Sequence, residues 1–307
     1  MNQEITPPTE YRAGFVAIAG KPNVGKSTLL NALLGQKIAA VTYRPQTTRK
    51  QQLGILTLEN AQIIFMDTPG IHHPQHKLGE RMNAEATTAF EDASLLLILV
   101  DVSQPPEAED ELLAGTIQRV GARLPGIVAL NKTDRIDAET LATRTQEFAQ
   151  LFPGRPLLPI SALRKENLAQ LIAALLERLP FNAPFFPEEQ LTDLYEREIA
   201  ADLIREAALL LLRDEIPHGI AVRVDEFTER GETGAYIAAT IFVERESQIA
   251  IVVGKGGSML KRLGTHARQQ IEEMSGRKVH LQLHAKVRKN WRNDDATLHN
   301  FGFTKTK

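Results

Sequence analysis

An octet near the N-terminus, Gly20-Lys21-Pro22-Asn23-Val24-Gly25-Lys26-Ser27, constrains this chain more than any other feature. It fits the spacing G-x-x-x-x-G-K-[ST], and its flanks are the ones that pattern requires. The apolar run Phe15–Ala19 reads as a strand leading in, and Ser27–Leu34 as a helix leading out. A strand–loop–helix of this kind wraps backbone N–H groups and a helix N-terminus around phosphate. Gly20 and Gly25 let the main chain come close, Lys26 reaches the β- and γ-phosphates, and the Ser27 hydroxyl is a Mg2+ ligand. Thr28 belongs to the same phosphate-binding turn.

Short apolar runs recur at Ile55–Leu58, Ile63–Met66, Leu95–Val100, Ile127–Leu130 and Leu157–Ile160. Amphipathic stretches lie between or after them at Glu107–Val120, Ala138–Phe152 and Asn167–Leu179. Strand–helix alternation predicts an α/β domain, a mainly parallel sheet with helices on both faces. The run Gly54–Met66, broken at Glu59-Asn60, reads as a hairpin and predicts one antiparallel strand.

Three further clusters close predicted strands. In Asp67-Thr68-Pro69-Gly70, Asp67 can hold Mg2+ through a water. Gly70 can offer its N–H to a γ-phosphate and turn away when that phosphate leaves. In Asn131-Lys132-Thr133-Asp134, the Asp134 carboxylate can accept from guanine N1–H and the exocyclic amine. Adenine offers neither donor on that edge, so the carboxylate would lose its partners. Ser161-Ala162 can present a backbone N–H to guanine O6. Each cluster alone is a turn; together and in this order, at strand C-termini, they specify a guanine nucleotide.

On these residues, positions 14–180 resemble a translation-factor-type GTPase domain of the Era/TrmE branch. Tyr43-Arg44-Pro45-Gln46-Thr47-Thr48-Arg49 resembles the first switch of the Era family, in which a threonine closes on Mg2+. The resemblance assigns Thr48, with Thr47 as the alternative. It implies a P-loop GTPase that converts GTP to GDP and phosphate with Mg2+, using Lys26, Thr48, Gly70 and Asn23, with Thr68, Pro69 and Ile71 lining the nucleotide. Many small GTPases carry a water-orienting glutamine directly after the glycine of Asp-x-x-Gly. Here that position is Ile71, which implies slow intrinsic hydrolysis. Asn23 resembles the asparagine that binds K+ beside the phosphates in relatives; an ordinary turn residue is the alternative reading.

The stretch from Pro180 to Pro187 holds three prolines and reads as an extended linker, placed at 181–191, with Phe181, Phe185 and Phe186 pinning it. Beyond it, Thr192–Asp214 has helical spacing with Thr192 as a candidate N-cap. Ile220–Phe227 and Ala235–Val243 read as strands, Gly254-Lys255-Gly256-Gly257 opens a helix, and Lys278–Val287 is a last strand. Ile249–Val253 reads as a strand by its β-branched content. The order resembles a prokaryotic-type (type II) KH domain, an α+β unit whose G-x-x-G loop clamps about four nucleotides. That resemblance makes 249–253 a short helix and implies RNA contacts by Gly254, Lys255, Gly256, Gly257, Lys261 and Arg262. We expect a polar tail at 1–13, the GTPase domain at 14–180, the KH domain at 192–295 and a basic tail at 296–307. Trp291 is expected to be buried packing rather than a stacking platform.

Charge supports the division. Residues 250–307 carry 12 Lys/Arg and 4 Asp/Glu, while the whole chain is at −2. A basic end on an acidic body points to nucleic acid or an anionic surface. The chain has no cysteine, which excludes disulfides, Zn–thiolate sites and cysteine nucleophiles and fits a reducing compartment. No uninterrupted apolar stretch exceeds six residues, as at Leu95–Val100, against about 20 for a membrane span. Resemblance to the Era family over nearly the whole chain implies a cytoplasmic, monomeric GTPase. It would bind the 3′ end of small-subunit ribosomal RNA, assist assembly of that subunit and meet the inner membrane peripherally. Two alternatives stand beside it: a membrane-associated signalling GTPase, and a GTP-gated RNA scaffold with negligible turnover.

Overall fold

Leu95–Val100 is apolar at every position, and all six side chains are buried, which needs cover on both faces of the strand. The computed structural model describes residues 10–42, 47–194, 196–213, 216–231 and 233–303. Residues 1–9 and 304–307 of the expected tails, and Tyr43–Gln46 of the expected first switch, lie outside the described residues. The chain divides into two compact units, one of residues 1–35, 48–73 and 82–193, the other of 36–47, 74–81 and 194–307.

The first unit is built on β1 (Arg12–Ala19), β2 (Gln52–Leu58), β3 (Ala61–Asp67), β4 (Leu95–Asp101), β5 (Gly126–Asn131) and β6 (Leu157–Pro159), in the order β2-β3-β1-β4-β5-β6. All neighbours are parallel except β2 and β3. The expected hairpin is therefore the one antiparallel pair, with Glu59-Asn60 at its turn. The helices are α1 (Lys26–Leu34), α2 (Lys77–Asp92, counted with this unit from residue 82 on), α3 (Ala108–Val120), α4 (Ala138–Leu151) and α5 (Leu168–Leu176). Alternate strand residues Ala17, Ala19, Leu96, Ile98, Val100, Val128 and Leu130 form one core with Phe90 of α2, Leu113 and Ile117 of α3 and Phe148 of α4. Their neighbours face α1 and α5.

Arg12 and Ala13, expected in the tail, begin β1 and pair with Ala61 and Gln62. The proline-rich segment lies on this same unit. Gln62 Oε1 accepts from the N–H groups of Phe185 (2.8 Å) and Phe186 (3.0 Å), and its Nε2 donates to Phe186 O at 2.9 Å. The Phe185 ring meets Phe15 at 5.1 Å, and the Arg12 guanidinium lies 4.2 Å over the Phe181 ring. Thr192 is not a helix cap: it bridges to Gly54, and Asp193 Oδ1 accepts from Leu53 N–H.

The second unit contains α6 (Glu196–Leu211), β7 (Ala221–Arg230), β8 (Gly234–Val243), α7 (Glu246–Val253), α8 (Ser258–Ser275), β9 (Lys278–Val287) and α9 (Asp295–Asn300). Its sheet runs β7-β8-β9, antiparallel then parallel. Residues 249–253 are helical, inside α7. The core joins Leu203 and Ala207 of α6, Ile237 and Ile241 of β8, and Leu263, Ala267 and Ile271 of α8. The segment expected as a tail after residue 295 is folded as far as Phe303. Leu298 is fully buried, and Phe301 packs on Phe242 (5.0 Å) and edge-on to Trp291 (5.5 Å). Trp291 is itself fully buried and donates from Nε1 to Gly219 O at 2.8 Å.

Candidate functional site

Four loops leave the C-terminal ends of β1, β3, β5 and β6. The loop after β1 needs its glycines. Gly25 has φ +103°, and a Cβ there would stand 2.5 Å from Asn131 Nδ2. Asn131 in turn donates from Nδ2 to Val24 O (2.7 Å) and accepts on Oδ1 from Ala162 N–H (2.9 Å). One buried amide thus ties together the first, third and fourth loops. Asn23 has φ +65°, a left-handed conformation that asparagine tolerates, and its carbonyl accepts from Lys132 Nζ at 2.8 Å. Lys132 Nζ also pairs with Asp101, whose carboxyl is held below the usual range: burial raises it, and bonds from Lys132 and Ser103 outweigh that.

Lys26 is buried and donates to the carbonyls of Gly20 (3.0 Å) and Lys21 (3.1 Å). Burial pulls its ammonium down to about 8, against the opposing pull of the Asp67 carboxylate. Asp67, also fully buried, is pushed up by burial. Its Oδ2 accepts from Ser27 Oγ (2.9 Å), Thr48 Oγ1 (3.2 Å) and Gln52 Nε2 (3.4 Å), while Oδ1 has no hydrogen-bond partner. Ser27 and Thr48 hydroxyls lie 2.8 Å apart. An orphaned carboxylate oxygen beside two hydroxyls is a donor set for a hard, oxygen-liking divalent cation. Thr47, the alternative to Thr48, has its hydroxyl 2.8 Å from Thr42 Oγ1 instead.

Gly70 packs directly on the phosphate loop, since a Cβ would meet Pro22 N at 2.7 Å. The next N–H, of buried Ile71, donates to Gly20 O at 3.3 Å. Thr68 Oγ1 donates to Ile18 O at 2.9 Å, which anchors the turn with Pro69 between them. His72 Nδ1 lies 2.8 Å from Gly70 O, and Asn83 clasps the His72 backbone from both sides.

At the base end, Asp134 Oδ1 accepts from Ser161 Oγ at 2.6 Å, and Thr133 bonds Ile160 O through its hydroxyl at 3.0 Å. The Ser161-Ala162 pair differs from expectation in one respect. Ala162 N–H goes to Asn131 and Ser161 N–H to Glu166 O (3.3 Å), so a donor to guanine O6 from this pair requires one of those bonds to open.

Sequence reasoning missed what Lys21 does. Its Nζ lies 2.7 Å from both Glu107 Oε2 and Asp110 Oδ2, at the start of α3. Burial lowers its ammonium, and the two carboxylates more than reverse this, so it stands above its ordinary value. Asp110 is fully buried and also takes the Glu107 N–H at 3.0 Å. The acidic run at 107–111 was visible, but it reads equally as helix capping.

In the second unit, Gly254-Lys255-Gly256-Gly257 forms a single turn with positive φ at all three glycines. Lys255, Gly256, Lys261 and Arg262 are exposed. Beside the turn is a groove of about 340 Å³ between α8 and the edge strand β9, with Leu260 and Leu283 in its wall; a Cβ on Gly264 of α8 would stand 3.5 Å from Leu283 Cδ1. Its cationic side chains are Lys261 and Arg268, the latter paired to Glu272 at 3.2 Å.

The model of a family described as a 50S ribosome-binding GTPase matches residues 15–132, and a KH-domain model matches 215–292. The GTPase Era of Carboxydothermus hydrogenoformans is 43% identical over 96% of this chain and 98% of its own. The GTPase Era of Heliobacterium modesticaldum is 40% identical over 96% and 98%. A crystal structure of Era in complex with MgGDPNP and nucleotides 1506–1542 of 16S ribosomal RNA is similar at a TM-score of 0.90 and 38% identity, covering 96% of this chain and all of that one. An Aquifex aeolicus Era variant bound to GDP·AlF4− is similar to the same extent.

Proposed function

The chain belongs to the Era family of GTPases, and from that premise we propose a GTP-hydrolysing switch that binds the 3′ end of small-subunit ribosomal RNA and assists assembly of that subunit. The observation that carries the reading is the convergence of the phosphate loop, the Ser27–Thr48–Asp67 cluster and the Asn131–Asp134 loop at one end of one sheet. Successive N–H groups of the phosphate loop and the N-terminus of α1 hold the β-phosphate. Lys26, buried and facing the loop carbonyls, turns to the β- and γ-oxygens. Ser27, Thr48 and Asp67, the last through a water, would hold Mg2+, which neutralises charge on the phosphates. The Gly70 N–H reports the γ-phosphate. Ile71 places no water, so turnover is slow without help.

Asp134 selects the base. In Asp134→Asn one acceptor becomes a donor, and each mismatched buried contact costs about 1–3 kcal/mol. GTP affinity then falls, and xanthosine triphosphate, whose 2-oxo group accepts, becomes the better ligand. Unchanged GTP affinity in this variant overturns the base assignment. The RNA reading is tested by crosslinking the GTP-loaded protein to cellular RNA and sequencing the bound fragments; absence of the ribosomal 3′ end refutes it.

Asn23 supplies the finer proposal of a K+ beside the phosphates, at the position an arginine finger would take. Turnover is then higher in K+ than in Na+ at equal ionic strength, and Asn23→Ala erases the difference. Equal rates for the unaltered protein eliminate K+ and leave Asn23 as a left-handed turn residue. The protein works as a cytoplasmic monomer that meets the inner membrane only peripherally. Among the described residues no helix is long and apolar enough to cross it. Sedimentation for mass and flotation with anionic vesicles read those two points.

A further inference from the structure

The β9 strand has two rows of side chains. Val279, Leu281, Leu283, Ala285 and Val287 face the core, while Lys278, His280, Gln282, His284 and Lys286 are exposed on the other face. The outward row therefore holds two cations, two imidazoles and an amide, with no carboxylate. Its neighbours complete a column of flat groups across the sheet. Tyr236 of β8 stacks on His280 at 5.6 Å and 16° between planes, the Arg230 guanidinium of β7 lies 4.9 Å over the Tyr236 ring, and Tyr236 Oη donates to Gln282 Oε1 at 2.7 Å. Since β7 and β9 flank β8 on opposite sides, the column runs Arg230, Tyr236, His280 and ends at the edge strand. Small Ala238 leaves the surface shallow beside it, and Phe301 packs at the far end, on Phe242.

We propose that this outward face, along β9, is a second contact surface for single-stranded RNA, continuing a footprint that begins in the G-x-x-G groove. The proposal rests on the RNA reading above. A KH groove holds about four nucleotides. The wall of this groove is β9 itself, at Leu281, Gln282 and Leu283, so a longer strand leaving it crosses that edge onto the row described. Lys278 and Lys286 are eight residues apart, about 26 Å along the strand, room for several further nucleotides. Charge selects the lane: β7 carries Asp225 and Glu226 outward, Asp225 paired to Arg223 and accepting from Thr240 Oγ1, so phosphate follows β9. A base stacks on the His280 end of the column, and Lys278 and Lys286 meet phosphates.

The test uses the full chain and nested 4- and 12-nucleotide single strands from the 3′ end of small-subunit ribosomal RNA. The face variant is Lys278→Gln/His280→Ala/Lys286→Gln, all at exposed positions. It weakens the 12-mer by about tenfold or more. It also lowers the magnitude of its log–log salt slope by about 1.4, two contacts' worth for a single strand. The 4-mer is unaffected, and His280→Phe alone, which keeps a ring at the column's end, binds the 12-mer as the unaltered protein does. An unchanged 12-mer affinity and slope in the face variant overturns the proposal, as it would if the face serves a protein instead. A 12-mer no tighter than the 4-mer on the unaltered protein overturns it too. Lys255→Asp/Gly256→Asp weakens both strands if the groove reading holds; retention of the 4-mer there is failure of the groove reading, distinct from failure of the face.

Discussion

Lys26 shows how a single buried charge makes a site sensitive to protons. In the nucleotide-free protein its ammonium stands at about 8, against 10.5 for an unhindered lysine, because burial removes its water. Phosphate oxygens restore the lost favourable field and raise it again. Above about pH 8 the nucleotide complex therefore holds a proton that the free protein has released. Binding takes up roughly half a proton near pH 8, the uptake fades by pH 7, and affinity falls as pH rises through the free-state value. Calorimetry of GDP binding in buffers of different ionisation enthalpy reads this directly; a buffer-independent enthalpy at pH 8 contradicts it. The opposite sign applies to folding. Between about 8 and 10.5 the unfolded chain binds the proton that the native chain lacks, so this residue's penalty on the nucleotide-free fold eases with rising pH.

At the scale of elements, the clamp between the phosphate loop and α3 is the feature with most at stake. Lys21 is the counter-ion of a fully buried Asp110. In Lys21→Met that carboxylate is stranded, which costs about 3–5 kcal/mol of stability. In Lys21→Met/Asp110→Leu the charge is gone and most of the stability returns. The loop's tether is absent in both, so GDP affinity stays reduced by about tenfold in the double variant, an order of magnitude being about 1.4 kcal/mol. Thermal melts beside nucleotide titrations separate the two effects, and full recovery of affinity in the double variant shows the clamp to be structural only.

The same clamp marks where sequence stopped informing. The strands were legible because Leu95–Val100 and its like are buried on both faces and must be continuous apolar runs. The loops were legible because phosphate and guanine dictate residue types at fixed spacing. Helix α2 was not read, because its buried face is Leu78, Met82, Ala86, Ala89 and Phe90, and two of those five are alanines with little hydrophobic signal. Pairings across 86 and 89 residues, as from Lys21 to Glu107 and Asp110, leave no local pattern at all. Nor did the basic count of the C-terminus disclose that Leu298 is buried and that Phe301 folds back on Trp291.

For the whole molecule, charge and chemistry divide along the chain. Residues 1–249 carry a formal −10 and hold the proposed nucleotide site, while 250–307 carry +8 and hold the G-x-x-G turn. An acidic body resists adventitious phosphate backbones, and a basic end collects them through counterion release. Recognition of nucleotide and of RNA should therefore be separable by mutation. Lys255 and Gly256 are exposed at the tip of the turn, and a Cβ at Gly256 meets nothing within 4 Å. Gly256 has φ +59°, so Asp there is strained locally, yet the core of Leu263, Ala267 and Ile271 lies elsewhere. Lys255→Asp/Gly256→Asp puts two negative charges on the turn proposed to meet RNA phosphates and keeps that core. GTP affinity and basal turnover survive, while affinity for a single-stranded ribosomal 3′-end oligonucleotide and any RNA stimulation of turnover are lost. All three are measured on one preparation. Intact RNA affinity refutes the role of the turn, and a collapse of GTP binding refutes separable recognition.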